Sequence, residues 1–204
     1  MPTKVLLLSQ DDQYHKLETL GSLIINWTKD ISNIDIKVSH EKSSLLGLKD
    51  FDICLLCLTV NQLSDEEGKA LADFVKSGNS VFAFHSASVI NEANTGYIDL
   101  IGARFTHHSP YQEFLVAIVD KVHPVTKGVA DFRVSDELYV LDREPKGADI
   151  LATTVWEDKA QPMVYAKKYG DGKVLYNALG HDEKAFYNPA YRQLTVQGIK
   201  WLIG

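Results

Sequence analysis

Gly78-Asn79-Ser80-Val81-Phe82-Ala83-Phe84-His85-Ser86-Ala87-Ser88 decides how the rest of the chain is read. Val81 to Phe84 is apolar, aromatic-rich and uncharged, which predicts a strand buried on both faces in the middle of a parallel sheet. The run stops at His85, and the small and hydroxylic residues after it could open a helix. In open α/β sheets ligands bind outside the carboxyl ends of the strands. A titratable side chain held there by a rigid strand is therefore a candidate for chemistry. The alternative is a histidine that caps the next helix or bonds within the core.

Working back towards the N-terminus, Lys4 to Leu8 reads as a first strand. A helix is expected from about Tyr14 to Lys29, with Leu17, Leu20, Ile24 and Trp27 on one face. Ile34 to Val38 and Phe51 to Leu58 are further strands. Ser64-Asp65-Glu66-Glu67 is a capping box opening a helix that turns Leu71, Phe74 and Val75 inward, and Gly78 follows it as a C-cap glycine would. This β-α alternation argues for a doubly wound, mainly parallel sheet with right-handed crossovers.

Beyond His85 the character changes. Tyr97 to Ile101 predicts a short helix, and Phe105 to Pro110 a polar exposed loop. Glu113–Val119, Phe132–Leu141, Ile150–Trp156 and Met163–Lys168 predict strands. Gly170-Asp171-Gly172 is a tight turn into Lys173–Leu179, giving an added β-hairpin region. A last helix is expected from about Pro189 to Leu202. No linker or repeat appears, so residues 1–204 read as one domain.

The totals set bounds. The 204 residues are 45% hydrophobic and 24% charged, ordinary for a globular domain able to bury a good core. A net charge of −6 and a scatter of Lys and Arg without a basic stripe argue against nucleic acid as a partner. No stretch approaches the roughly 18 apolar residues of a membrane span, and no signal-peptide pattern opens the chain, so the expectation is a cytoplasmic protein with no membrane partner. Cys54 and Cys57 lie three apart on a strand, on opposite faces. That spacing suits two buried, inert thiols better than a redox pair.

Two strands end alike, one at His85 and one at Gly180-His181-Asp182. If both are parallel members of one sheet, their imidazoles converge on one edge. Gly180 lets the backbone turn sharply or approach a ligand closely. Asp182 or Glu183 is then the expected orienting carboxylate for His181, against the alternative of a simple helix cap. Glu137 and Tyr139 in Asp136-Glu137-Leu138-Tyr139 share one face of a strand, suited to sugar hydroxyls or a metal, or else merely facing solvent. His107 and His108 could give a ligand or a lid contact, though neighbouring loop histidines are often only exposed. His15 and His40 carry no functional weight in this reading. No H-E-x-x-H or cysteine cluster is present, so a divalent metal such as zinc would need His85, His181, His107 or His108 and a carboxylate from distant segments. No phosphate-binding glycine loop and no G-x-S-x-G elbow around Ser86 occur.

Taken in order, Phe84-His85-Ser86-Ala87, Leu100-Ile101-Gly102-Ala103-Arg104-Phe105, His107-His108, Glu113-Phe114, His123-Pro124-Val125-Thr126, Asp136-Glu137-Leu138-Tyr139, Pro162-Met163, Tyr169 to Val174 and Leu179-Gly180-His181-Asp182 resemble the ThuA-like (trehalose utilisation) family. The resemblance covers nearly the whole chain. It implies a flavodoxin-like sheet related to class I glutamine amidotransferases, whose nucleophile elbow carries Cys and whose His and Glu follow a late strand. Here His85 stands near that elbow, and His181 and Glu183 take the later position. Without the thiol, glutamine amidotransferase activity is not expected. The family is linked to disaccharide and keto-sugar metabolism, which implies a small sugar ligand and leaves hydrolase, lyase and isomerase chemistry open. The expected site is then His85, His181, Asp182 and Glu183 for catalysis, with His85 and His181 as metal ligands. Ser86, His107, His108, Glu137 and Tyr139 are the expected substrate contacts. The competing reading is a non-catalytic sugar-binding or regulatory domain on the same scaffold, or an assembly subunit with a relic pocket. A homodimer is the base-rate expectation.

Overall fold

The computed structural model describes residues 1–61 and 63–204. Strands β1 (Thr3–Ser9), β2 (Ile34–Ser39), β3 (Ile53–Cys57) and β4 (Ser80–Phe84) alternate with helices α1 (Leu17–Thr28) and α2 (Asp65–Lys76) and a 3-10 segment, Lys42–Asp50. Helix α3 (Thr95–Ile101) precedes strands β5 (Phe105–His108), β6 (Gln112–Ile118), β7 (Phe132–Asp136), β8 (Tyr139–Leu141), β9 (Ala148–Trp156), β10 (Lys159–Tyr169) and β11 (Gly172–Asn177). The chain closes with α4 (Glu183–Phe186) and α5 (Pro189–Ile203).

Nine strands form one sheet in the order β2-β1-β3-β4-β11-β10-β9-β6-β7. The first five are mutually parallel, the flavodoxin-like order of a doubly wound fold. The remaining four add on antiparallel. Every residue of β3 and β4 is buried, as a charge-free central strand requires. Helices α1 and α5 pack together, and α2 packs with α3 and the 3-10 segment, giving helical layers to both faces. The capping box at α2 is formed in both directions: Glu67 N–H donates to Ser64 Oγ at 3.2 Å and Ser64 N–H to Glu67 Oε2 at 2.9 Å. Cys54 and Cys57 are buried and free, and burial pushes both thiols well up from their ordinary value. Among the described residues no helix is long and apolar enough to cross a membrane.

Register carries this fold to its site. Phe84 pairs with Asn177 across β4 and β11, so the chain leaves the sheet at His85 and at Ala178 side by side. Ser9 pairs with Cys57 across β1 and β3, which sets the loop after β1 beside Thr59. A Cβ on Gly21 would lie 2.9 Å from Ser9 Oγ, and the bare glycine lets α1 press its first turns onto that same edge.

Three expectations change. The Phe105–Pro110 stretch is strand through His108, because it pairs antiparallel with β8. The Phe132–Leu141 run is two strands in two sheets, broken at Glu137-Leu138. The break follows from Asp136, whose fully buried carboxylate turns away to bond the loop after β11. Helix α1 starts at Leu17 rather than Tyr14, since Asp12 Oδ1 accepts the N–H groups of Tyr14 and His15 at 2.7 and 2.8 Å and holds them in a turn.

Candidate functional site

His85 begins a short 3-10 turn directly after β4 with φ +40°. A left-handed backbone on a non-glycine residue is costly and is found where surrounding structure enforces it. The imidazole is fully buried. Its Nδ1 lies 2.7 Å from the Ala178 carbonyl oxygen, so Nδ1 carries the proton and Nε2 is left as a bare lone pair. Nε2 has no hydrogen-bond partner. Burial lowers the pKa to about 4, against the raising effect of Glu137, and the ring is neutral near pH 7.

His15 is built the same way. Its Nδ1 lies 3.0 Å from both carboxylate oxygens of Asp12, and Thr59 Oγ1 donates to Asp12 as well. Burial alone would raise Asp12, but the Thr59, His15 and Tyr14 hydrogen bonds win and hold it down at about 2. The His15 Nε2 lone pair is buried and unpartnered.

His181 follows β11 through Gly180, whose φ is +116°. The N–H groups of Gly180 and His181 donate to Asp136 at 2.7 and 3.0 Å, and Glu137 N–H donates to it at 2.8 Å. Burial pushes Asp136 up to about 7 despite these bonds. One carboxylate thus ties the Glu137 turn to the His181 turn.

Glu137 stands at the centre. Its Oε2 is 3.2 Å from His181 Nδ1 and 3.8 Å from His85 Nε2, and its Oε1 is 3.7 Å from His108 Nε2. Burial acts to raise Glu137, yet His181 and His85 together hold it well below the usual carboxylate range. Glu137, close by and negatively charged, in turn raises His181 against the effect of its burial. The His181 Nδ1 contact is short but not aligned as a directed hydrogen bond. The rings of His15, His85 and His181 have centroids 5.0–5.6 Å apart at angles of 67–78°. Donor atoms of His15, His85, His181 and Glu137 all lie within 4.8 Å of one another.

The pocket above has a volume of about 680 Å³, with Phe105 and Tyr139 on one wall and Gln10, Asp11, Lys42 and Asn61 around it. Tyr139 lies tilted over His85 with centroids 4.0 Å apart.

Among the expected site residues, the structure brings together His85, His181, Glu137, Tyr139 and His108. Ser86 is buried beside His85 with an unpartnered hydroxyl. His107 is exposed, its Nδ1 3.0 Å from Thr106 Oγ1. Asp182 caps α4, accepting the Lys184 N–H at 2.9 Å, and Glu183 is exposed in its first turn. The carboxylate in contact with the His181 ring is therefore Glu137, 44 positions upstream, in place of the sequence neighbours Asp182 and Glu183. His15 was the residue without a sequence signal of its own. Its place just after β1 could have revealed it, because a parallel strand delivers its carboxyl end to the edge that carries His85 and His181.

The scaffold and its site can be set beside known proteins. The trehalose utilisation model, ThuA, matches residues 4–202. No curated protein sequence matches the chain. A ThuA-like protein from Bacteroides uniformis ATCC 8492 superposes with a TM-score of 0.85 at 18% identity, over 99% of this chain and 92% of that one. A ThuA-like protein from Parabacteroides merdae ATCC 43184 gives 0.84 at 19%, over 99% and 90%. A β-galactosidase from Rahnella sp. R3 gives 0.71 at 16%, over 99% of this chain but 31% of that one. These likenesses are of fold. With the family model matched across almost its whole length, the chain belongs to the ThuA, or trehalose utilisation, family.

Proposed function

We propose that this chain is an enzyme of carbohydrate metabolism, acting on a sugar or keto-sugar derivative through the histidine cluster with the help of a divalent metal. The observation that carries the reading is Glu137, shared between His85, His181 and His108 at the base of a sugar-sized pocket. Family membership supports the carbohydrate side of the reading. Neither buried cysteine lies at the elbow, where His85 stands instead, so thiol chemistry has no place in it.

The pocket walls suit a sugar. Phe105 and Tyr139 offer aromatic surface, and Gln10, Asp11 and Asn61 offer donors and acceptors for hydroxyls. A bound divalent cation would polarise a keto oxygen and make the adjacent C–H acidic. His108 is half-exposed, lines the pocket and reaches towards Glu137. Its place on the pocket wall makes His108 the base in this reading. It takes the proton from the carbon beside the keto group, and the C–H electron pair passes into an enediolate. Return of that proton to the former keto carbon, while the hydroxyl on the neighbouring carbon passes its proton to the former keto oxygen, isomerises the sugar. If instead the enediolate pair forms a C=C bond with the next carbon and re-forms the keto group, the glycosidic oxygen there leaves with its bonding pair and takes up the abstracted proton, giving elimination.

The test is turnover of a panel of keto-disaccharides by the purified protein. Turnover lost in both His85→Ala and His181→Ala, with the fold intact by circular dichroism, supports the reading. Tight sugar binding without conversion by the wild type would replace it with a non-catalytic sugar-binding domain.

A further inference from the structure

We propose that His15, His85, His181 and Glu137 are the four ligands of a single divalent transition-metal ion, with Asp12 as the outer carboxylate that sets His15. The inference rests on the functional reading above only for its place in the pocket, and it deepens that reading by naming the ligand set.

The cluster is built of unsatisfied lone pairs. Because Ala178 O fixes the proton of His85 on Nδ1 and Asp12 fixes that of His15 on Nδ1, both Nε2 atoms are acceptors. Both are buried and, among the described residues, have no donor. Glu137 Oε2, 3.8 Å from His85 Nε2, is itself an acceptor. His181 Nδ1 is the third buried nitrogen without an aligned partner. Buried polar atoms are nearly always satisfied, because a bare one has lost its water and gained nothing in return. Three such atoms from three separate loops around one carboxylate are a cavity for a cation. The carbonyl and carboxylate behind His85 and His15 are the outer partners that metal-bound imidazoles ordinarily have.

Three imidazoles and one carboxylate are borderline donors. They select zinc, cobalt, nickel, manganese or iron(II) over magnesium and calcium, which take oxygen. An ion with five or six coordination positions would keep one or two for the oxygens of a keto-sugar.

The test strips the full-length protein with a chelator, removes the chelator and titrates Co²⁺, read by calorimetry and by visible d–d absorption. One Co²⁺ per chain is expected. His15→Ala and Glu137→Gln should each weaken binding by at least tenfold, and Asp12→Asn by about 10–100-fold at unchanged stoichiometry. His107→Ala should leave it unchanged. If His15→Ala fails to fold, Asp12→Asn and His15→Gln carry the same comparison. Absence of saturable binding, or binding indifferent to both His15 and Glu137 substitutions, overturns the site. Sugar turnover by a protein that shows no saturable Co²⁺ binding overturns the site and leaves only the sugar-directed part of the proposed function standing. Stoichiometric Co²⁺ at these ligands with no turnover supports the site and sinks the proposed function.

Discussion

The carboxylate of Asp136 accepts the backbone N–H of Gly180 at 2.7 Å across 44 residues. With Glu137 N–H and His181 N–H on the same group, this buried side chain locks two site turns together. In Asp136→Asn the amide NH₂ would face backbone donors, and at least one of them would lose its acceptor. A loss of about 1–3 kcal/mol is expected from a buried donor left without its acceptor, measured by denaturant unfolding below pH 7. Loss below about 0.5 kcal/mol, the range of an inconsequential surface change, would count against the lock.

The same residue gives the stability a pH signature. Burial raises Asp136 to about 7 in the folded state, against roughly 3.9 for an unperturbed aspartate. The folded protein therefore holds this proton more tightly, and unfolding releases it. The contribution is complete below the unfolded value and is lost as pH climbs through about 7. The gap in stability between wild type and Asp136→Asn should accordingly narrow from pH 5 to pH 8. A gap that widens over that window contradicts the assignment.

Gly180 tests the turn that delivers His181. Its φ is +116°, and a Cβ there would meet the Tyr191 hydroxyl at 2.7 Å. Gly180→Ala should cost about 1–3 kcal/mol from backbone strain plus the clash. The Tyr191 hydroxyl is buried without a partner, so Tyr191→Phe alone should be neutral or stabilising. In the double variant part of the Gly180→Ala cost should disappear, and a double-mutant cycle measures that coupling. Strict additivity would mean that the two side chains do not compete for space.

The two thiols make a negative control. Cys54 and Cys57 are fully buried, and burial raises both pKa values. A disulfide-exchange reagent should label neither in the native protein and both after denaturation. Rapid native labelling would show that β3 is not the closed central strand described above.

Much of the scaffold was legible because it depends on short-range pattern. Val81–Phe84 and Ile53–Cys57 are apolar on both faces, as central parallel strands are. Ser64 and Glu67 marked the start of α2, and Gly170-Asp171-Gly172 marked the β10–β11 turn. That His85 and His181 emerge from parallel strands of one sheet was a condition of the reading, and the parallel pairing of β4 with β11 meets it. The misses are long-range. Glu137 and Tyr139 were placed on one strand face, but Asp136 reaches for Gly180 and His181 and breaks that strand, a contact no local period reveals. Asp182 and Glu183 drew attention as sequence neighbours of His181, yet one caps a helix and the other meets solvent, while Glu137 arrives from another turn. His15 carried no functional weight, at the start of the helix expected from about Tyr14. Its imidazole faces inward because Asp12 folds back onto Thr59 and the His15 N–H, a contact set by the β1–β3 register.

The most direct measurement is anomalous diffraction from crystals of the full-length protein grown with Co²⁺. The expected result is a single strong peak about 2.0–2.2 Å from one donor atom each of His15, His85, His181 and Glu137. An empty cluster at saturating Co²⁺, or a peak that leaves His15 and Glu137 out of the coordination sphere, would contradict it.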